Sequence, residues 1–202
     1  MYPELSQLIS NFSVESISTE RKEILQSFID YIQAKKNSGE TIRLNFICTH
    51  NSRRSHLSHI WAQTIAFYFG IKNVFCYSGG TETTAIFPKV LETLINQGFH
   101  IAKLSEGDNP IYAVKYSENE SAVICFSKTY NDSFNPSSKF GAIMTCNNAD
   151  EGCPFVQGAE ARFPIKYDDP KTFDNTDLQN EKYAERSLEI AQEMWWIFSK
   201  IN

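Results

Sequence analysis

The stretch LNFICTHNSRRSHLSHIWAQTIAFYFG, residues 44–70, decides the fold, because it changes from a strand pattern to a helix pattern within a few residues. The apolar run that ends at Cys48 predicts a buried strand over 43–48, and the residues after the polar loop predict a helix over about 54–69. A strand, a loop and a helix in this order aim backbone N–H groups and the helix N-terminus at one point. The stretch therefore predicts an anion-binding site at the carboxyl end of a strand.

The residues at the two ends of this loop suit attack on a tetrahedral oxyanion. Cys48 lies where the loop begins, and the positive field of the loop favours its thiolate, the nucleophilic form of cysteine. Arg54 presents a planar fork that binds two oxyanion oxygens, and Ser55 is placed to hydrogen-bond the thiolate. The competing interpretation is a buried cysteine at a strand end followed by a solvated arginine. The adjoining strand, helix and serine favour the catalytic interpretation.

The order of elements along the chain predicts an α/β fold with a parallel sheet covered by helices on both faces. Two helices precede the first strand, and Gly39 ends the second of them. Further elements are predicted as a strand over 73–80, a helix over 85–97, a hairpin within 111–127, strands over 140–145 and 161–167, and a helix over 178–200. In such a sheet ligands bind at the carboxyl ends of the strands, where Cys48 lies.

The segment YDDPKTF contains two candidate proton donors, Asp168 and Asp169, just after the predicted last strand. A loop at this position would lie at the same edge of the sheet as Cys48. Displacement at an oxyanion needs an acid that protonates the leaving oxygen, and a carboxyl group is suited to this role. The competing interpretation is a structural turn, since aspartate before proline often begins one.

The segment TCNNADEGCP places Cys146 at the end of the strand over 140–145 and Cys153 seven residues later. Two buried small residues or half of a zinc site are the alternatives to a redox pair. The spacing is unusual for zinc and no second cysteine pair follows. The histidines at 50, 56 and 59 are weak candidates for ligands, so we expect no metal.

Composition narrows the classes of function. The chain has 202 residues and a net charge of −5, which argues against general binding to nucleic acids or membrane surfaces. The N-terminal residues lack the basic and apolar regions of a signal peptide, so we expect a cytoplasmic protein. Five cysteines are an odd number, and a reducing compartment disfavours a disulfide framework, so catalytic, redox or buried cysteines are expected.

Taken together, these motifs resemble the low-molecular-weight protein tyrosine phosphatase superfamily, and within it the thioredoxin-coupled arsenate reductases. FICTHNSRRS is similar to the C-x5-R-S oxyanion loop of that superfamily, and VFCYSGGTETTAIFPKVLETLINQGFHI to the stretch that follows it. TCNNADEGCP followed by YDDP resembles the reductase branch. The resemblance covers about 43–102 and 140–200.

The resemblance implies a four-stranded parallel flavodoxin-like sheet of the phosphotyrosine phosphatase I type, within a domain over 41–202. An N-terminal helical extension over 1–40 and an inserted β-hairpin within about 105–138 lie outside it. It also implies roles for individual residues. The catalytic set is Cys48, Arg54, Ser55, Asp169, Cys146 and Cys153, and the oxyanion-binding loop is Thr49, His50, Asn51, Ser52, Arg53 and Arg54.

Three positions depart from the pattern of the superfamily. His50 replaces a glycine, which is expected to strain the loop or narrow the pocket. Arg53 replaces a cysteine and is expected to add positive charge near the anion. His59 stands where some arsenate reductases carry a glutamate of a potassium site, which puts that site in doubt.

The implied function is arsenate reduction, an oxidoreductase activity in arsenic resistance, with thioredoxin as external reductant and no bound cofactor. Cys48 attacks arsenate, Cys146 attacks Cys48, and Cys153 attacks Cys146 to form a redox-active disulfide. The rival activity is a hydrolase, a tyrosine phosphatase that uses Cys48, Arg54 and Asp169 through a phosphocysteine. A third interpretation is a binding module whose loop senses an oxyanion or a partner's phosphate without turnover.

Overall fold

The computed structural model of the protein describes residues 1–15 and 17–202, and its centre is a parallel four-stranded sheet. The strand order is β2-β1-β6-β7, so the first strand lies inside the sheet, with β2 on one side and β6 and β7 on the other. The four strands are β1 (Ile42–Cys48), β2 (Val74–Gly80), β6 (Phe140–Met144) and β7 (Ala159–Phe163). Leu44 pairs with Cys76 on one side and with Gly141 on the other.

Helices cover both faces of this sheet, as the sequence predicted. They are α1 (Pro3–Ser10), α2 (Thr19–Asn37), α3 (Arg54–Tyr68), α4 (Pro88–Asn96), α5 (Asn147–Gly152) and α6 (Gln179–Ser199), with a 3-10 helix over Pro170–Phe173. Trp61 of α3 is fully buried and donates a hydrogen bond to Ser187 Oγ of α6 over 2.9 Å. The α/β fold class and the parallel four-stranded sheet predicted from the sequence are therefore confirmed.

A second, smaller sheet lies beside the first and extends the predicted hairpin. Its antiparallel strands are β3 (His100–Lys103), β4 (Tyr112–Lys115) and β5 (Val123–Cys125). The hairpin of β4 and β5 is confirmed, but β3 was not predicted. Three of its four residues are exposed, so it carries no apolar alternation that would mark a strand.

The last strand of the main sheet differs from its predicted range. β7 ends at Phe163, whereas the sequence predicted a strand over 161–167. Pro164 follows Phe163, and because proline has no N–H it cannot continue the ladder of hydrogen bonds. Residues 164–169 instead run as a loop toward the carboxyl end of β1, which brings the Asp-Pro segment to the predicted site.

The N-terminal helices belong to the same hydrophobic core as the sheet. Phe28 of α2 is fully buried and lies 5.1 Å from the ring of Phe163. Arg21 of α2 forms a two-pronged ion pair with Glu193 of α6, over 2.6 and 2.8 Å. The extension is thus packed against the core, while the domain boundary near residue 40 stays a prediction. Within the described ranges, no helix has both the length and the apolar content needed to cross a bilayer.

The end of β2 approaches the segment after β5 so closely that it has room for glycine only. A Cβ atom on Gly79 would lie against Tyr130 Cα and 2.8 Å from the backbone nitrogen of Tyr130. Gly80 N–H donates to Lys128 O, and Tyr130 N–H donates to Gly80 O, both over 2.9 Å. The two glycines therefore let residues 128–130 lie alongside the strand that borders the oxyanion loop.

Gly79→Ala should lower the free energy of unfolding by about 1–3 kcal/mol, because the methyl group overlaps backbone that cannot move aside. Urea denaturation monitored by circular dichroism measures this change. Gly152→Ala is the matched control, since nothing lies within 4 Å of the added methyl group. An unchanged midpoint for Gly79→Ala would show that residues 128–130 are not held against β2.

Candidate active site

Cys48 is the last residue of β1 and lies at the base of the loop that joins β1 to α3. It is 3% exposed, and its Sγ lies 3.1 Å from Ser55 Oγ. Ser55 Oγ accepts a hydrogen bond from Asn51 Nδ2 over 2.8 Å. With that lone pair used, the hydroxyl hydrogen of Ser55 is free to donate to Cys48 Sγ, which favours the thiolate.

The carbonyl groups of the loop point outward and are hydrogen-bonded by surrounding segments. Asn51 has φ of 44°, a left-handed conformation that asparagine tolerates better than most residues. The donors are Thr81 N–H to Cys48 O, Glu82 N–H to Thr49 O, Ser127 Oγ to His50 O, His56 Nε2 to Asn51 O and Phe87 N–H to Ser52 O, over 2.8 to 3.1 Å.

Since N–H and C=O point in opposite directions across a planar peptide, this arrangement turns the N–H groups of 49–53 inward. Across the described chain, no protein acceptor takes a hydrogen bond from them. The loop is therefore built to receive an anion. Gly80 makes room for the loop backbone, because a Cβ at this position would lie 2.6 Å from Thr49 O and 2.8 Å from Asn51 N.

Arg54 and Asp169 lie together at the mouth of the loop. Arg54 donates from one terminal nitrogen to Asp169 Oδ2 over 2.5 Å and from the other to Tyr167 O over 3.1 Å. Asp169 also begins the 3-10 helix by accepting from Lys171 N–H. Asp168 points away, with its side chain 98% exposed and 3.5 Å from Arg186. Of the two candidate acids, the structure thus places Asp169 at the site.

The side chain of Arg53 lies outside the anion site, which corrects the expectation that it adds charge there. Its Nε donates to Tyr183 Oη and its terminal nitrogen to Asp174, each over 2.6 Å. Its guanidinium also lies 4.0 Å from the centre of the Phe87 ring. The charge of Arg53 is thereby neutralised, and this residue ties α3 to α6 and to the segment before α4.

His50 does not strain the loop as expected for a residue in the place of glycine. Among the described residues, the non-glycine positions with positive φ are Asn51, Asn73, Lys139 and Asn175. The His50 side chain is about two-fifths exposed and lies 3.4 Å from Glu82. It therefore points away from the base of the loop.

Cys146 and Cys153 flank α5 beside the oxyanion loop. Cys146 is 2% exposed, and its Sγ lies 3.4 Å from Thr49 Oγ1 and accepts from Ala149 N–H at the start of α5. Cys153 is half-buried at the other end of the helix. All five cysteines of the chain are free thiols. The structure thus brings Cys146 to the residue next to Cys48 and keeps Cys153 one helix away.

A cavity of about 410 Å³ opens beside the loop. Its walls include Arg54, Cys146, Lys166, Asp168 and Asp169, so the cation and one thiol of the predicted site share it with both candidate acids. Lys166 was not predicted from the sequence. It forms an ion pair with Asp150 of α5 over 2.7 Å, and Arg162 holds the same carboxylate over 2.5 Å.

A buried polar cluster behind the loop was also missed by sequence reasoning. The ligand-bearing atoms of His56, His59 and Cys125 lie within 4.8 Å of one another, and all three residues are buried. Each imidazole gives one N–H to a backbone carbonyl, His56 Nε2 to Asn51 O and His59 Nδ1 to Ser55 O. The remaining lone pairs face the Ser78 hydroxyl and the Cys125 thiol, at 3.4 and 3.5 Å. Hydrogen bonds thus occupy the donors and acceptors of this cluster, and the absence of a metal stays a prediction.

Burial keeps this cluster neutral. It lowers the pKa of His59 to about 3 and raises the pKa of Cys125 to about 12. The pKa of His56 is also well below its ordinary range, first because of burial and then because of His59 and Lys128. Neutral imidazoles can hold the Asn51 and Ser55 carbonyls without placing a positive charge under the loop.

No protein-family model matches the sequence, and no curated protein matches it. Solved structures do share its fold. YwlE from Bacillus subtilis is 14% identical with a TM-score of 0.50, over 78% of this chain and 97% of that one. A low-molecular-weight phosphotyrosine phosphatase from Vibrio cholerae is 16% identical with a TM-score of 0.49, over 76% and 92%.

A thioredoxin-dependent arsenate reductase from Corynebacterium glutamicum is 19% identical with a TM-score of 0.42, over 97% and 83% of the two chains. At such low identity, the likeness to the Bacillus structure supports the fold alone.

The buried histidines predict how stability depends on pH. His59 binds its proton near pH 6.5 in the unfolded chain but only near pH 3 in the folded protein. The unfolded state therefore takes up more protons as the pH falls below 6.5, and stability drops in that range. His59→Gln should remove up to about 1.4 kcal/mol per pH unit of this dependence.

Chemical denaturation at a series of pH values from neutral down to about 4, above the folded pKa of His59, measures the slope. His100→Gln, at an exposed position, is the control and should leave the slope unchanged. An equal slope in His59→Gln and the parent protein would mean that folding does not change how readily His59 binds a proton, which contradicts the prediction.

Proposed function

We propose that the protein is a thioredoxin-coupled arsenate reductase. The observation that carries this proposal is the placement of Cys146, whose Sγ lies 3.4 Å from Thr49 Oγ1 of the oxyanion loop, with Cys153 at the far end of the short helix α5. A hydrolase would need neither thiol. A relay needs one thiol beside the nucleophile and a second that moves the disulfide outward.

In the first step, the Cys48 thiolate attacks the arsenic atom of arsenate, forming an S–As bond as one oxygen leaves. The inward N–H groups and Arg54 bind the remaining oxygens. Arg54 is paired with Asp169 before the oxyanion arrives. Because the oxyanion competes for the same guanidinium, it frees Asp169, and its negative charge favours the protonated carboxyl. Asp169 then gives that proton to the leaving oxygen, which departs as water.

In the second step, the Cys146 thiolate attacks Cys48 Sγ. The S–S bond forms as the S–As bond breaks, and the electron pair of that bond goes to arsenic, which leaves as arsenite. In the third step, the Cys153 thiolate attacks Cys146 Sγ, and Cys48 leaves as a thiolate. Thioredoxin then supplies two electrons to the disulfide between Cys146 and Cys153. The chemistry requires no bound cofactor and fits a reducing cytoplasm.

The third step requires α5 to open. In a helix, the Cα atoms of Cys146 and Cys153 are about 10 Å apart at roughly 1.5 Å per residue, and a disulfide needs them within about 7 Å. The helix residues are NNADEG, and asparagine, aspartate and glycine are weak helix formers. Ion pairs from Asp150 to Arg162 and Lys166 hold the closed helix until the disulfide forms.

A tyrosine phosphatase is the second candidate, and the cavity beside the loop favours it. Its volume of about 410 Å³ is large enough for an aryl phosphate. The same Cys48 would form a phosphocysteine that water hydrolyses, with Arg54 and Asp169 in the same roles. Cys146 and Cys153 would then be spectators.

The deciding measurement is arsenate-dependent NADPH consumption with thioredoxin and thioredoxin reductase, with hydrolysis of p-nitrophenyl phosphate measured beside it. Cys48→Ser should abolish both activities, because a serine hydroxyl stays protonated. Cys146→Ser should abolish arsenate turnover and spare hydrolysis. Cys76→Ala, at a buried cysteine of β2 away from the loop, is the control for both. Arsenate turnover that survives in Cys146→Ser would reject the relay, and hydrolysis without any arsenate turnover would favour the phosphatase.

Asp169→Asn should lower kcat by about 10²–10⁴-fold, since the amide cannot protonate the leaving oxygen. The dissociation constant for phosphate should change far less, because Arg54 and the loop N–H groups still bind it. Asp168→Asn is the matched control and should reduce kcat only slightly. Steady-state kinetics and phosphate titrations on the two variants measure these effects. A larger loss of kcat in Asp168→Asn than in Asp169→Asn would show that Asp169 is not the proton donor.

A further inference from the structure

A cavity of about 600 Å³ lies between the free edge of β2 and the segments after α3 and around β5, away from the oxyanion loop. We call it the β2-edge cavity. Apolar and aromatic side chains make up much of its wall, namely Phe67, Ile71, Val74, Tyr116, Val123 and Phe134. Its volume and lining are those of a small-molecule site.

One charged residue of this wall, Lys128, is buried without a counter-ion. Lys128 is 2% exposed, and in the described part of the chain no carboxylate lies within ion-pair distance of its Nζ. The single hydrogen bond of the side-chain ammonium group is a long one, 3.5 Å from Nζ to Phe126 O. The rings of Phe126 and Phe134 lie 4.5 and 5.3 Å from Nζ. Lysine is rarely buried unless it is paired, because an uncompensated charge in an apolar site is costly.

The neighbouring groups do not form an ion pair with Lys128. His56, His59 and Cys125 are all neutral, as described above. Asp132 accepts a hydrogen bond from Phe134 N–H and acts on the Lys128 ammonium group only from beyond ion-pair distance. Burial lowers the pKa of Lys128 to about 8, so the amine is still protonated at neutral pH. A cation at neutral pH thus borders a largely apolar cavity, and within the described residues no carboxylate forms an ion pair with it, although Glu120 lies elsewhere in the wall.

We propose that the β2-edge cavity binds a medium-chain carboxylic acid, with the carboxylate paired to Lys128 and the apolar chain along the aromatic wall. The carboxylate supplies the charge that Lys128 lacks, and the chain supplies the apolar surface that the wall is suited to bury. This site is separate from the oxyanion loop and does not depend on the arsenate reductase proposal.

The site also lies next to the support of the oxyanion loop. The backbone N–H of Lys128 donates to Asn51 Oδ1 over 2.9 Å, and its carbonyl accepts from Gly80 N–H. The residue that would hold the carboxylate is therefore also the residue that holds the asparagine of the loop.

Isothermal titration with decanoate tests the proposal on the full chain. The expected result is saturable binding to one site, with decan-1-ol binding at least about tenfold more weakly because it cannot pair with the ammonium group. Lys128→Met keeps a side chain of similar length and should weaken decanoate binding by a similar factor. Lys36→Met, on the exposed part of α2, is the control and should leave the affinity unchanged.

Two further arms keep the outcome clear. Ala122→Trp, at a half-buried position of the cavity rim, should block decanoate even if Lys128→Met fails to fold. Excess inorganic phosphate should leave decanoate affinity unchanged, since phosphate occupies the oxyanion loop. No saturable binding, equal affinity in Ala122→Trp, or displacement by phosphate would each overturn the proposal.

Discussion

The conformation of Asn51 is the constraint on which the rest of the site depends. Its φ of 44° reverses the chain between β1 and α3, and three contacts fix it there. Nδ2 donates to Ser55 Oγ, Oδ1 accepts from Lys128 N–H, and the carbonyl accepts from His56 Nε2. If Asn51 relaxed to an ordinary φ, the N–H groups of the loop would no longer converge, and Ser55 would lose the bond that turns its hydrogen toward Cys48.

This constraint links the site to distant parts of the chain. The carbonyl of Tyr167 orients Arg54, and the hydroxyl of Tyr167 donates to Glu193 over 2.7 Å. Glu193 in turn is held by Arg21 of the N-terminal extension. The extension therefore supports the loop that carries Asp169, although its own residues lie far from Cys48 in sequence. Removing it would expose Glu193 and loosen the loop that positions Asp169.

The parts of the site that could be predicted are those that the sequence specifies locally. The strand, loop and helix around Cys48 follow from the hydrophobic pattern over 44–70. The position of Asp169 was predicted from a last strand over 161–167, although that strand in fact ends earlier, at Phe163. The environments of Arg53, Lys128 and Cys125 could not be predicted, because residues far away in the chain form them. Arg53 lies next to Arg54 in sequence, yet Asp174 and Tyr183 draw its side chain away. β3 was not predicted for the same reason: its strand conformation depends on its pairing with β4 and not on a local sequence pattern.

The environments of the five cysteines separate them into two groups. Burial raises the pKa of Cys76 and of Cys125, and no cationic donor offsets it enough to favour a thiolate, so both remain inert thiols. Cys48 instead lies beneath inward N–H groups and a serine hydroxyl, and Cys146 begins a helix beside Thr49. Cys153 ends that helix, where it is partly exposed. Access thus increases from Cys48 and Cys146 to Cys153, which is the direction in which the disulfide of the proposed relay would travel to reach an external reductant.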